Sequence, residues 1–193
     1  VKYFAFHKPY GYLSQFTPEG RWQGLASLEL FPKGVYPIGR LDADSEGLLL
    51  LSSDGSINAR LLHPKNQHWR TYLVQLEGEI NEEALLQLRG PLSLNYKGKI
   101  HKTAPAKVEV IRTPGFLEER DPPVRFRKSI PTSWIKLSLC EGKNRQVRKM
   151  TAQVGFPTLR LVRLSIEGIS LEGIPQGGFV EYSEDDFRRL LKF

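Results

Sequence analysis

Apolar and polar positions along this chain follow the two-residue period of strands more often than the period of helices. Tyr3 to His7 opens as a short aromatic run and ends at the turn Lys8-Pro9-Tyr10-Gly11. Leu48 to Leu51 is a continuous apolar run, short enough to be a strand buried on both faces. Arg70 to Leu76 alternates, with Tyr72, Val74 and Leu76 on one face and Thr71, Leu73 and Gln75 on the other. Ala106 to Arg112, Ser133 to Cys140, Leu159 to Ser165 and Phe179 to Tyr182 have the same strand character.

Four shorter segments read as helices because capping residues bracket them. Residues 55–62 follow Asp54 as cap and stop at Pro64. Residues 82–89 are capped by Asn81 and closed by Gly90. A third helix is expected over about 145–154, with Asn144 as its cap and Gly155 beyond its end. After Ser183, the acids Glu184, Asp185 and Asp186 precede the bases Arg188, Arg189 and Lys192, an order that suits a helix dipole. Helices scattered among hairpin-scale connections predict an α+β fold with a mixed or antiparallel sheet. Between these elements, Thr113 to Thr132 forms a long loop with four prolines, whose centre reads Val124-Arg125-Phe126-Arg127-Lys128. Phosphate pairing with base stacking on Phe126 and a merely solvated loop are equally good readings of it.

Composition narrows the partner. The chain has 193 residues, with 28 Lys+Arg against 21 Asp+Glu, a formal charge of +7. Residues 97–163 hold 16 of those bases and only 5 acids, so a basic sector is set on a neutral-to-acidic remainder, as in polyanion binders. A single cysteine, Cys140, excludes an internal disulfide framework and any multi-Cys zinc site. His7, His63, His68 and His101 lack metal-ligand spacing, and neither a P-loop nor a dinucleotide fingerprint occurs. No apolar run approaches the roughly 18 residues needed to span a bilayer, and Val1 to Phe6 is too short and strand-like for a secretory signal. A soluble cytoplasmic protein of one domain over 1–193 is expected, with monomer as the default state.

Two segments carry candidate chemistry. The first is Gly39-Arg40-Leu41-Asp42-Ala43-Asp44-Ser45-Glu46-Gly47, which leads into four leucines. A calcium loop fails here, because the twelfth position is Ser53 and leucines replace polar ligands. Acids that merely cap a turn, or a catalytic carboxylate kept ionised by a nearby arginine such as Arg40, both stay open. Asp42 and Asp44 as a glycosidase-like pair have no evident control of their separation. The second segment is Glu141-Gly142-Lys143-Asn144-Arg145-Gln146-Val147-Arg148-Lys149-Met150, where a strand ends and a basic helix begins. Val147, Met150 and Val154 share its buried side, and Arg145, Arg148 and Lys149 the adjacent face. A phosphate-contacting helix and a solvated basic helix are the competing readings.

Taken in order, Lys8-Pro9-Tyr10-Gly11, the Gly39–Leu49 segment, Arg70-Thr71-Tyr72 and the Glu141–Met150 segment resemble the motifs of the RNA pseudouridine synthases that act on bacterial ribosomal RNA. Ser45 stands where Thr is common, and Arg145 where His often precedes the Gln. Many relatives carry an N-terminal S4-type RNA-binding domain, whereas this chain enters the catalytic domain at once. The resemblance implies a mostly antiparallel, bent central sheet with two sub-lobes around a cleft. It implies isomerisation of a uridine of ribosomal RNA, most simply 23S, without cofactor or metal. Asp42 would be the nucleophile, Arg148 its ion-pair partner, and Tyr72 would stack on a flipped-out base. Arg40, Lys143, Arg145, Lys149, Arg125, Arg127 and Lys128 would contact RNA. The rivals are a catalytically silent RNA-binding protein and an Asp-dependent N-glycosidase or nuclease.

Overall fold

The computed structural model describes Val1–Phe193. In chain order its elements are β1 (Tyr3–Lys8), β2 (Tyr36–Ile38), β3 (Glu46–Ser52), α1 (Gly55–Leu62), β4 (Arg70–Glu77), α2 (Glu82–Arg89), β5 (Ser93–Tyr96) and β6 (Lys99–Lys102). There follow β7 (Lys107–Ile111), β8 (Thr132–Leu139), α3 (Gln146–Gln153), β9 (Thr158–Ile166), β10 (Ile169–Ser170), β11 (Phe179–Tyr182) and α4 (Glu184–Leu190). Two compact units result, one of Val1–His68 with Val162–Phe193, the other of Trp69–Leu161.

In the first unit β3 is central. Leu50 pairs with Ala5 of β1 on one side and Ile38 of β2 on the other, both antiparallel. Gly47 pairs with Lys8 and, in parallel, with Arg163 of β9, which makes the sheet mixed. A Cβ at Gly47 would collide with the Arg163 backbone, so only glycine permits β9 to approach there. Every residue of β1 and β3 is buried, which is the two-faced burial that the run of leucines predicts. Phe4, Phe6, Leu49 and Leu51 pack with Leu25, Val35 and Leu41 on one face. On the other, Tyr3 packs against Phe187 of α4 with ring centroids 4.9 Å apart.

The second unit pairs β4 with β8 and β8 with β7, all antiparallel. Its core joins Val74 and Leu76 of β4 to Ile135, Leu137 and Leu139 of β8, Leu85 and Leu88 of α2, and Val147 and Met150 of α3.

The caps predicted for α1 and α2 are formed, Asp54 accepting from Ser56 N and Asn81 from Ala84 N, and at α4 Ser183 accepts from Asp186 N. The α3 cap is a correction. Arg145, not Asn144, occupies the cap position, with φ 52° and no side-chain cap bond. The β5–β6 hairpin was also not foreseen. Its turn places Lys97 (φ 54°) and Gly98 (φ 85°) in the left-handed region, while Asn95 Oδ1 accepts from Gly98 N at 2.7 Å. The proline-rich stretch between β7 and β8 has no regular element, as expected. It is nevertheless tethered to β9, because Arg160 donates to Glu118 O at 2.9 Å, and it is braced internally by Arg120 Nε donating to Pro122 O at 2.9 Å.

Candidate functional site

The Gly39–Glu46 loop connects β2 to β3, and its residues alternate in burial. Leu41, Ala43 and Ser45 are buried, whereas Asp42 and Asp44 between them are half-buried. Apolar anchors on either side thus hold Asp42 at the surface of the core without immersing its carboxylate. The loop backbone is pinned on both sides of that residue. Ser14 Oγ donates to Leu41 O at 2.7 Å and accepts from Leu41 N at 2.9 Å. Gly11 N donates to Ala43 O at 2.8 Å, and Ser45 N to Asp42 O at 3.0 Å.

Buried charge lies beneath this loop. Lys8 has no exposed surface, and its Nζ donates to Tyr12 O at 2.7 Å and Pro9 O at 3.0 Å. Burial lowers its pKa to about 7, against the opposing pull of Glu46 and Asp44 and, more weakly, Asp42; the positive charge of Arg163 lowers it too. Glu46 and Arg163 are themselves buried. Arg163 Nε donates to Leu48 O at 2.8 Å and Nη1 to Arg40 O at 3.4 Å. Arg40, by contrast, is exposed, and its backbone carbonyl rather than its guanidinium is what the loop uses.

Lys8 and Arg163 are thus two buried cations at the foot of the loop; sequence reasoning placed Lys8 in the opening motif but gave neither residue a role there. Their signal was present: Lys8 ends an aromatic strand, and Arg163 interrupts an apolar one.

In the second unit Tyr72 lies on β4 opposite Leu137, half-buried against the core. The Glu141–Met150 segment divides its residues between two tasks. Glu141 Oε1 accepts from Ala104 N and from Gln146 Nε2, both at 2.7 Å, and its Oε2 lies 3.0 Å from His101 Nε2. Gln146 is buried, and its Oε1 accepts from Lys143 N at 3.1 Å. These bonds hold the turn that carries Arg145 in its left-handed conformation, which costs a non-glycine residue about 1–2 kcal/mol.

With Glu141 and Gln146 turned inward, Lys143 and Arg145 are exposed and Arg148 and Lys149 half-buried. The Lys149 ammonium lies 4.9 Å from the centre of the Tyr96 ring and 3.4 Å from Asn95 O. Arg125, Phe126, Arg127 and Lys128 are all exposed on the proline-rich stretch. The structure thus groups Lys143, Arg145, Arg148 and Lys149 on one turn and helix of the second unit, with Arg125, Arg127 and Lys128 on the proline-rich stretch elsewhere in it. Asp42 and Arg40 belong to the first unit. No group of three His, Cys, Asp or Glu side chains has the placement to hold a metal ion. No helix is long and apolar enough to cross a membrane.

Comparison with known proteins gives this geometry a context. Residues 2–153 match the profile of the family described as RNA pseudouridylate synthase. The chain is 50% identical over 184 residues to the ribosomal large subunit pseudouridine synthase E of Vibrio vulnificus, covering 94% of this chain and 75% of that protein. It is 46% identical over 188 residues to the protein of the same name from Xanthomonas campestris, covering 95% of both. Identity is 34% over 189 residues to the ribosomal large subunit pseudouridine synthase B of Bacillus subtilis, covering 97% of this chain and 70% of that one. Among solved structures, a pseudouridylate synthase superposes with a TM-score of 0.79 at 25% identity, covering 98% of this chain and 73% of the other.

Proposed function

Because the chain belongs to the RNA pseudouridylate synthase family, and is an RNA pseudouridine synthase, we propose that it isomerises one uridine of ribosomal RNA, taken from the large subunit, with Asp42 as the nucleophile. The observation that carries this reading is the loop itself. Its two anchored neighbours, Leu41 and Ala43, present a carboxylate that is neither dissolved in solvent nor sealed in the core. A purely RNA-binding protein has no use for a fixed carboxylate facing a polyanion.

In the proposed reaction the C1′–N1 bond of the uridine breaks, the base turns, and C5 bonds to C1′. The C5 proton leaves and N1 regains one, so substrate and product are isomers and no co-substrate is consumed. Asp42 adds to the nucleotide as the covalent catalyst, and its bond to the nucleotide breaks again as the C5-linked product is formed, which returns the free carboxylate. Tyr72 stacks on the target base, which leaves its helix to reach the carboxylate. Arg148 balances the charge of the nucleophile in the reacting complex. Arg40, Lys143, Arg145, Lys149, Arg125, Arg127 and Lys128 neutralise backbone phosphates, so affinity falls as salt rises. The 193 residues act as one catalytic domain, in the cytoplasm and as a monomer.

Incubation with ribosomal RNA tritiated at uridine C5 tests the reading. Wild type is expected to release label from unbroken strands, and Asp42→Asn is not. Tight binding without release from any ribosomal RNA would make the protein a binder, and free uracil or cut strands would make it a glycosidase or nuclease.

A further inference from the structure

Ser14 belongs to none of the sequence motifs, yet its hydroxyl makes the closest link to the residue preceding Asp42. It donates to the carbonyl of Leu41 at 2.7 Å and accepts from the amide of the same residue at 2.9 Å. A neighbouring strand satisfies a residue in this way through its own backbone N–H and C=O. Here one side chain replaces that rung, from 27 residues away in sequence.

The hydroxyl is part of a short, directly bonded arch. Lys8 Nζ holds the carbonyls of Pro9 and Tyr12, Gly11 N holds the carbonyl of Ala43, and Ser14 holds both backbone groups of Leu41. The arch therefore grips the chain immediately before and immediately after Asp42, and at Leu41 the grip is a side chain rather than backbone. Leu41 is only 6% exposed. Without the hydroxyl, water has poor access to its amide and carbonyl, and the loop must shift to pair them.

We propose that Ser14 is a positioning residue for the isomerisation, setting the backbone at Leu41 and with it the direction in which the Asp42 carboxylate leaves the loop. The inference rests on Asp42 being the nucleophile. Ser14 touches neither substrate nor reacting atoms; it acts through Leu41 alone. Displacement of a reacting group by about 1 Å costs up to about 100-fold in rate, and a serine hydroxyl bonded twice to one residue holds the loop against such a displacement.

The test compares Ser14→Ala, Ser14→Cys and Ser14→Thr with wild type and with Asp42→Asn, using tritium release from ribosomal RNA and thermal unfolding. Ser14→Ala is expected to lower kcat by about 10- to 100-fold, with KM for the RNA within about twofold of wild type. Ser14→Thr keeps the hydroxyl and is expected to restore kcat to within about threefold, while Ser14→Cys, a weaker donor and acceptor, falls between Thr and Ala. A wild-type kcat in Ser14→Ala overturns the proposal, as does a Thr variant as slow as Ala, or a loss confined to KM. Should Ser14→Ala unfold at the assay temperature, the order of the other two decides: Thr faster than Cys supports the proposal, and equal rates overturn it. Asp42→Asn separates this from the reading beneath it. Full activity in Asp42→Asn removes the nucleophile assignment itself, whereas an inactive Asp42→Asn beside a fully active Ser14→Ala removes only the role of Ser14.

Discussion

The loop carrying Asp42 and the segment carrying Lys143, Arg145, Arg148 and Lys149 are both irregular stretches that run into regular structure, and they are fixed at different points: beside the functional side chain in the first, at the root of the turn in the second. The Asp42 loop is gripped on its backbone, at Leu41 by the Ser14 hydroxyl and at Ala43 by Gly11 N, with the buried Lys8, Glu46 and Arg163 at its foot. The basic segment is held by side chains, a carboxylate and an amide at Glu141 and Gln146 that leave the cations outward. A backbone grip leaves little freedom to the one side chain between its anchors. A side-chain rivet at the root of a turn fixes the turn itself and spends no cation on it, so the basic side chains are left for phosphate contacts. Damage to the first region should therefore appear in rate, and damage to the second in stability and RNA affinity.

Arg148 is where this division meets its strongest challenge, since it lies in the basic segment but is assigned to the chemistry. Arg148→Ala is expected to lower turnover by about 100-fold while weakening RNA binding less than about fivefold. Steady-state tritium release and filter binding measure the two, and equal losses would reduce Arg148 to a phosphate contact.

Glu141→Ala removes the acceptor from Ala104 N and Gln146 Nε2 and is expected to cost about 1–3 kcal/mol of stability, read by urea unfolding. Unchanged unfolding would mean that the turn is held by something other than this rivet.

Lys8 gives a smaller effect with a defined sign. Its pKa is about 7 in the folded protein against an ordinary value of 10.5. Between those values the unfolded chain binds the extra proton, so stability contributed at this position rises with pH, by at most about 1.4 kcal/mol per unit. Unfolding of wild type and Lys8→Met at pH 7, 8 and 9 should diverge in favour of wild type as pH rises. Parallel pH dependences would contradict the burial of a titrating ammonium.

The smallest effect is expected on the proline-rich stretch. Arg125→Ala, Arg127→Ala and Lys128→Ala should each lower the slope of log affinity against log salt by about 0.7 to 0.9, and an unaltered slope would remove that residue from the RNA contacts.

What was legible in the sequence was local. Asp54 and Asn81 announce their helices because a cap acts within three residues, and the acids-then-bases order after Ser183 announces α4. The run from Leu48 to Leu51 announces a two-faced strand because both faces need apolar cover. Asp42 stood out by its position between glycines ahead of that strand, and its motif order pointed to the family. The β5–β6 hairpin carries a turn signal at Lys97-Gly98, but flanking lysines hide the alternation that would make it a strand. The Asn144 cap failed for a non-local reason: Gln146, riveted to a carboxylate that also binds Ala104, fixes the turn first. The burial of Lys8 and Arg163 left only a faint trace, a cation in an otherwise apolar strand, since each depends on strands distant in sequence pairing beside Gly47.

Asp42 and Asp44 share one loop, one half-buried environment and one charge, so the most direct measurement sets them against each other. Under single-turnover conditions, with enzyme in excess over ribosomal RNA tritiated at uridine C5, Asp42→Asn is expected to release no label although it binds the RNA. Asp44→Asn is expected to release it at a rate within about tenfold of wild type. Release by Asp42→Asn at a comparable rate, or an inactive Asp44→Asn beside an active Asp42→Asn, would contradict the assignment of Asp42 as the nucleophile.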